Sequence, residues 1–415
     1  MRAKPLTYWL ARVLAGAFFL FAIYALGPYK YFAKTKCPYS NCDFFNHYLP
    51  MAKLIFLKPK PPVEGYLYPP FVALALAPLA KLPAHIATYA WLALHFILIL
   101  PAVALTQKCV GKVGRVSDVA FFTMLFGLSN AFWEDMRWGQ ISFMVILLLL
   151  WGGWLASQGQ NLLAGLLVGL AVAMKLYPCA IFILWLLERR WRAIAWGVAF
   201  SAVFLFFIPA ALLGTDYTLY SIRYSLSSYI SSNPPYFASY RNSHDLVSAF
   251  LRWSCFARLD TDLLTSPYRW RGVLFGMPCG LVLKISYLLL ALVSVALWAC
   301  IFKSLRANPA AAIQRAMLVF LWIFWLGQTT WTHYYIFLPL ALALWDKDIQ
   351  QGGEGVVSQV GYLIALALIS GPVVWVFDPV LYHRWGIPFL ASAVCGAWLC
   401  KSSIHQAQGS SERDA

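Results

Sequence analysis

Acidic residues are scarce in this chain. Its 415 residues hold 16 Asp and Glu against 32 Lys and Arg, and charged residues of both signs reach only 12%. Soluble domains carry about a quarter charged residues. Here 61% of the residues are hydrophobic, which excludes a water-soluble fold and makes lipid the solvent for most of the surface. The short alternating segments of a membrane β-barrel are missing; the apolar runs are long and recurrent, which calls for helices. There is no GxxxxGK[ST], no HExxH and no GxSxG, so P-loop nucleotide hydrolysis, zincin chemistry and a nucleophile elbow are not expected. There is no CxxC or Cys/His metal spacing. No soluble cofactor and no metal ligand set is expected. Matching halves, the mark of many carriers, are absent. No basic, aromatic-rich soluble domain exists to read nucleic acid. The net charge of +16 is therefore assigned to the positive-inside bias and to contact with anionic membrane lipids. The nine cysteines are scattered. Cys37 and Cys42 share one loop and would pair in an oxidising space.

What is present is a series of runs near the roughly 20 apolar residues that a spanning helix needs. They lie near 10–28, 85–106, 118–133, 141–158, 191–213, 280–302, 313–328, 333–346, 356–377 and 384–400. The first follows Arg2 and Lys4 and reads as an uncleaved signal anchor. The stretch 161–187 is interrupted at "MKLYP", where Lys175 is costly at membrane depth and Pro178 breaks a helix. The run "PPFVALALAPLAKLP" (69–83) is too short to span and reads as re-entrant or interfacial. With that choice the basic connectors 107–115, 188–192, 303–315 and 345–350 fall on the cytoplasmic side. The expected architecture is all-α: a polytopic transmembrane helical bundle of about 12 spans. It forms a single domain over 1–403 with a polar tail at 404–415. A first outer loop runs over 29–84 and a long outer loop over 214–277.

This topology gathers the polar, aromatic-rich loops on one face, as an enzyme or carrier requires. Asp43, in "DFFNHYLP", is a carboxylate placed to take a proton from an acceptor hydroxyl. His47 lies one turn away, with Tyr48 beside it. A helix cap or a solvated loop carboxylate is the plainer account of Asp43. Glu134 and Asp135 beside Arg137, followed by Gln140, suit either a charged turn with a local ion pair or contacts to sugar hydroxyls. "SYRNSHDLVSAFLRW" places Arg241, Asn242, His244 and Asp245 before an amphipathic helix expected from Asp245 to Phe256. Arginine there matches phosphate oxygens. "TTWTHYY" holds Trp331 and His333 within an interfacial aromatic belt.

The order of these motifs resembles the polytopic glycosyltransferases of the GT-C fold, and within them glycosyltransferase family 87, the polyprenyl-phosphate-mannose-dependent α-mannosyltransferases of bacteria. An early Asp-Phe-x-x-Tyr-Tyr-x-x-Ala pattern is matched by Asp43, Phe44 and Tyr48, with His47 where a tyrosine is usual. Tyr-x-Tyr-Pro-Pro and a helix closing in Pro-Leu-x-x-Leu-Pro are matched from Tyr66, through Tyr68, to Pro83. Gly139-Gln140, the Gly-rich helix ending at Lys175 and Pro178, and a late Trp-x-His follow in order. The long loop departs from the pattern, with "NSHDL" for an Asn-Gln-Ser-like motif. The resemblance implies an inverting transferase that moves a hexose, mannose by likeness, from a polyprenyl-phosphate carrier to a lipid or glycan acceptor. The active site would lie on the extracytoplasmic face of the plasma membrane. Asp43 would be the general base, and His333, Lys175 and Arg241 would bind the donor phosphate. Substrate contacts would come from His47, Tyr48, Tyr68, Glu134, Asp135, Gln140, Asn242, His244, Asp245 and Trp331. A transporter or flippase for lipid-linked sugars, and a GT-C enzyme acting on protein or lipid A, are the alternatives.

Overall fold

The computed structural model describes residues 6–26, 42–111, 116–230, 243–254, 277–308, 310–327, 330–351, 354–370 and 385–405. Arg241, Asn242, Cys37 and most of 377–385 lie outside these residues. Among the described residues the regular elements are helices. They are α1 (Leu6–Leu26), α2 (Leu49–Leu54), α3 (Pro70–Leu76), α4 (Ala84–Val110), α5 (Val116–Leu128), α6 (Asn130–Trp138), α7 (Ser142–Ser157), α8 (Asn161–Met174) and α9 (Ile181–Leu187). After them come α10 (Trp191–Ala202), α11 (Ile208–Leu213), α12 (Thr215–Ile230), α13 (Leu246–Ser254), α14 (Cys279–Ala307), α15 (Ala312–Leu326), α16 (Leu338–Gln350), α17 (Val356–Ile369) and α18 (Ile387–His405).

Among the described residues four stretches are long and apolar enough to cross a membrane: Ala84–Val110, Trp191–Leu213, Gly280–Ala307 and Ile387–Ile404. Seven shorter apolar helices accompany them. The long ones turn large side chains such as Leu100, Leu288 and Val295 outward. Exposed leucine and valine on this scale suit a lipid surround. Trp191–Leu213 runs through one π-helical turn at Val203–Phe207 without ending.

Local sequence explains the ends that matter. The stretch 161–187 is broken, as its Lys and Pro require. α8 stops at Met174, Lys175 is extended (φ −143°, ψ 142°), and a 3₁₀ turn at Tyr177–Ala180 leads into α9. The segment 69–83 is one short helix and a 3₁₀ turn, too short to span. Tyr66 explains its Tyr-x-Tyr-Pro-Pro opening. The Tyr66 hydroxyl donates to the Pro69 carbonyl at 3.0 Å and accepts the Ala73 N–H at 3.0 Å, capping α3 from the side. Residues 133–140, expected as a loop, are mostly helical: α6 starts after an extended Ser129 and stops at Gly139, whose φ of 66° suits glycine. The amphipathic helix of the long loop is α13, which starts one residue later than expected and runs to the end of the described span at Ser254.

α8 and α10 cross at glycines. A Cβ on Gly165 would sit 2.4 Å from the Trp196 Cβ, and one on Gly169 would sit 2.6 Å from the Phe200 Cβ. Such close backbone approach is how small residues join membrane helices. Ion pairs bind the end away from His333. Arg12 bridges to Asp346 at 3.1 Å and Asp118 at 3.8 Å, and Arg315 reaches Glu188 at 2.8 Å. Overfilling the crossing should be felt at once. Gly165→Ala is expected to lower the melting temperature in detergent, through roughly 1–3 kcal/mol of overpacking; an unchanged melting curve would show that the helices part freely.

Candidate functional site

Asp43 precedes a π-helical turn, Phe44–Tyr48, that continues into α2. The turn is fastened to α4 by the Phe44 ring, stacked on Trp91 at 4.8 Å and 9°. Next to it Cys42 is buried and disulfide-bonded, to a partner outside the described side chains. The Asp43 carboxylate accepts a hydrogen bond from the Gln140 amide through Oδ2. Gln140 Oε1 accepts from the Tyr48 hydroxyl at 3.0 Å and the Tyr68 hydroxyl at 2.9 Å, and those hydroxyls lie 2.6 Å apart. Two ends of the first outer loop and the turn at Gly139 thus meet on one amide.

Lys175, wholly buried at the break after α8, faces the same cluster. Its ammonium donates to Ser142 Oγ at 2.7 Å and to the Tyr334 hydroxyl at 3.4 Å. It also lies 5.4 Å from the Tyr68 ring centroid and 4.6 Å from that of Tyr334. His333 stands beside Tyr334, ring centroids 4.8 Å apart, and within range of the Lys175 charge. It is buried, and its Nδ1 has no hydrogen-bond partner among the described residues. The arrangement sets one carboxylate, one ammonium and one imidazole around a single polar spot. Burial pushes the Asp43 carboxyl up to about 6, against the His47 ring, the Gln140 hydrogen bond and the Lys175 charge, which favour the carboxylate. A base poised near operating pH takes and returns a proton readily.

The other expected residues divide. His47 lies on Asp43's own turn, near enough to act on its carboxylate, with its Nδ1 2.6 Å from the Glu64 carbonyl. Trp331 continues the cluster outward: its ring lies 5.8 Å from His333 and 5.9 Å from Trp138, whose indole N–H donates to Glu134 at 2.8 Å. Glu134 also pairs with Arg137 at 3.3 Å, the local ion pair that the sequence offered. Asp135 is fully buried against His95 at 3.3 Å and accepts the Phe143 N–H at 3.2 Å, so it braces the turn at Gly139. His244 and Asp245 sit behind Tyr335 rather than beside Asp43. The His244 N–H donates to the Thr330 carbonyl, and its own carbonyl accepts from the Tyr335 hydroxyl at 2.7 Å. Asp245 takes the Ser243 and Ser248 hydroxyls, while its burial raises the carboxyl above the ordinary range.

Sequence reasoning missed Ser142, Tyr334, Trp91 and His95. A histidine within the apolar run 85–106 was the available signal, since polar groups at that depth need a partner. Among the described residues, no three His, Cys, Asp or Glu side chains cluster as metal ligands. Two Asp-x-Asp triplets do occur. Residues 260–262 lie outside the described ones. In 346–348, Asp346 binds Arg12 and Asp348 accepts from Ser402 at 2.8 Å, toward the end of α16 away from His333.

Comparison with known proteins bears on what this cluster does. Residues 66–326 match the family model described as glycosyltransferase family 87. The match begins at Tyr66, so it takes in Tyr68, Gln140 and Lys175 and leaves Asp43 and His333 outside. A polyprenol-phosphate-mannose-dependent alpha-(1-2)-phosphatidylinositol pentamannoside mannosyltransferase of Mycobacterium tuberculosis is 22% identical over 358 residues, 81% of this chain and 73% of that protein. The protein of the same description from Mycolicibacterium smegmatis is 28% identical over 134 residues, 32% of each chain, so that match spans about a third of its length. No solved structure matches.

The raised Asp43 carboxyl has a stability consequence. Its folded-state value of about 6 exceeds the ordinary carboxylate value of 3.8, so the folded protein holds this proton more tightly than the unfolded chain. The stability so gained is present below about 4 and is lost as pH rises through 6. At pH 7.5 Asp43→Asn is therefore expected to melt at or above the wild-type temperature. A clearly lower melting point would mean that the carboxylate holds the fold together.

Proposed function

The chain belongs to glycosyltransferase family 87, and from that premise we propose that it moves a hexose, mannose in the first instance, from a polyprenyl-phosphate carrier to a hydroxyl of a lipid or glycan acceptor. It is a glycosyltransferase by family. The finer reading is supported by the descriptions of its relatives, which name a polyprenol-phosphate-mannose donor and a phosphatidylinositol mannoside acceptor. A GT-C bundle of about twelve spans in the plasma membrane is the architecture we propose for it. The disulfide at Cys42, adjacent to Asp43, supports an active site on the oxidising, extracytoplasmic side.

The single observation that carries the mechanism is Asp43 itself. One of its oxygens is held by Gln140, and the other makes no hydrogen bond among the described residues. In the proposed step the acceptor hydroxyl gives its proton to that free oxygen. The acceptor oxygen attacks the anomeric carbon from the face opposite the phosphate. The bond from the anomeric carbon to the phosphate oxygen breaks, and polyprenyl phosphate departs with the electron pair, inverting the configuration. The leaving phosphate needs no proton but does need positive charge. Lys175 and His333 supply polar hydrogens at the same spot, and such aimed electrostatics are commonly the largest catalytic contribution. Arg241 is proposed to assist them.

For the acceptor, α12 carries Tyr217, Tyr220 and Tyr224 with successive ring centroids 6.5 and 6.4 Å apart. The Tyr217 hydroxyl donates to the Pro59 carbonyl at 3.3 Å, which ties α12 to the Asp43 loop, and the Lys60 ammonium lies 5.1 Å from the Tyr220 ring. Aromatic faces with a lysine suit sugar rings on an anionic lipid. Tyr220→Ala is expected to raise the acceptor KM several-fold and to leave the donor KM alone; equal rises in both would remove α12 from acceptor recognition.

The decisive experiment gives purified protein in nanodiscs labelled polyprenyl-phosphate mannose and a lipid extract from the source cells. Wild type is expected to form a labelled product, with activity falling as pH drops through about 6 and Asp43 takes up its proton. Asp43→Asn is expected to bind donor and to transfer roughly 10²–10⁴-fold more slowly. Transfer that survives the substitution would sink Asp43 as the base. No transfer by either protein, together with labelled lipid crossing liposome bilayers, would favour a carrier of lipid-linked sugars.

A further inference from the structure

The turn at Gly139 and Gln140 carries an amide to Asp43, and its backbone is gripped from α4. Trp91 Nε1 donates to the Gly139 carbonyl at 3.0 Å. One turn further along α4, His95 Nε2 lies 3.0 Å from the Gln140 carbonyl and 3.3 Å from Asp135 Oδ2. Its other nitrogen, Nδ1, lies 2.9 Å from the Trp91 carbonyl. Both edges of the ring thus face oxygen acceptors, the Trp91 carbonyl on one side and the Gln140 carbonyl with the Asp135 carboxyl on the other, which fixes the ring in place. His95 and Asp135 are 2% and 0% exposed. A buried histidine–carboxyl pair is a weak source of stability, because desolvation offsets much of the attraction, and fixing a geometry is its better-attested use.

The geometry fixed is that of Gln140. Asp135 holds the turn from a second direction, since its backbone carbonyl accepts the Gln140 N–H at 2.8 Å. With the backbone held, Tyr48 and Tyr68 hydroxyls occupy Gln140 Oε1, so only its N–H₂ is left to face Asp43. We propose that the buried His95–Asp135 pair, helped by Trp91, is a positioning device for the base: it places the Gln140 amide on Asp43 and so keeps that carboxylate oriented and charged. This rests on the reading of Asp43 as the base. The groups that act on Asp43 are His47 from its own turn, Lys175 from the end of α8 and Gln140. Of these, Gln140 is the one whose backbone His95 touches.

An infrared titration of the Asp43 carboxyl reads the device without turnover. The signal is taken as the difference between wild type and Asp43→Asn, both full-length in nanodiscs. In His95→Gln the Asp43 midpoint is expected to rise by about half to one pH unit, as the carboxylate loses its amide donor. Transfer is expected to slow roughly 10- to 100-fold at a nearly constant donor KM. Trp91→Phe removes only the indole N–H and is expected to shift both quantities the same way by less. In a Gln140→Ala background, His95→Gln should add nothing to the midpoint shift, because its effect runs through the missing amide. An unmoved midpoint in either folded variant, or additive shifts in the double substitution, overturns the device. If the midpoint moves as expected while wild type transfers no sugar, the device stands and the glycosyl-transfer reading fails.

Discussion

A fully buried ammonium is the constraint around which this protein is arranged. An unpaired charge in an apolar interior is prohibitively costly, and it becomes tolerable only when acceptors and opposite charge surround it. Lys175 meets that condition through Ser142, Tyr334, two aromatic faces and the nearby Asp43 and Asp135 carboxylates. These five residues come from four parts of the chain, at 43, 68, 135–142 and 334, so satisfying one lysine brings four segments to one place. The helix break at Lys175 belongs to the same solution. An unbroken helix from 161 to 187 would carry the side chain past the polar spot on a regular turn, whereas the extended residue and the 3₁₀ turn aim it inward.

Much of this was legible in the sequence because it follows from rules that act locally. Apolar length marks helices, and proline with lysine marks the break before Tyr177. Proline fences and a short run mark 69–83 as non-spanning. The cluster of Asp43, Tyr48, Tyr68, Gln140, Lys175 and His333 was named from loop chemistry and from resemblance. The sequence could not say that Gln140 binds Asp43, since their hydrogen bond joins residues 97 apart. Nor could it separate Asp135 from Glu134. The two are neighbours in an acidic pair, yet one points at His95 and the other at Trp138, because successive residues on a helix face about 100° apart. His244 and Asp245 look as reactive as His333 in the sequence, but the His244 backbone bonds to Thr330 and Tyr335, and the Asp245 carboxyl bonds to Ser243 and Ser248 at the start of α13.

Tyrosine hydroxyls act here as connectors. Tyr66 closes the open end of a seven-residue helix, Tyr335 ties the long loop to α16's approach, and Tyr48 with Tyr68 sets the flip of one amide. A phenol suits this work beside lipid. It brings a donor and an acceptor at the tip of an apolar ring, so it satisfies polar groups without importing charge.

The partners of Lys175 also carry an order in time. Ser142 precedes it by 33 residues and Tyr334 follows it by 159. At ribosomal speeds of 5–20 residues per second, roughly ten to thirty seconds separate the lysine's emergence from that of its last partner. Throughout that interval the chain already carries Asp43 and Gln140 but lacks His333. A half-synthesised chain thus holds the carboxylate of the polar cluster without the imidazole that completes it. The cluster around Lys175 closes only when the final third of the chain arrives, so the chemistry proposed for it waits until the residues around Tyr334 have been made.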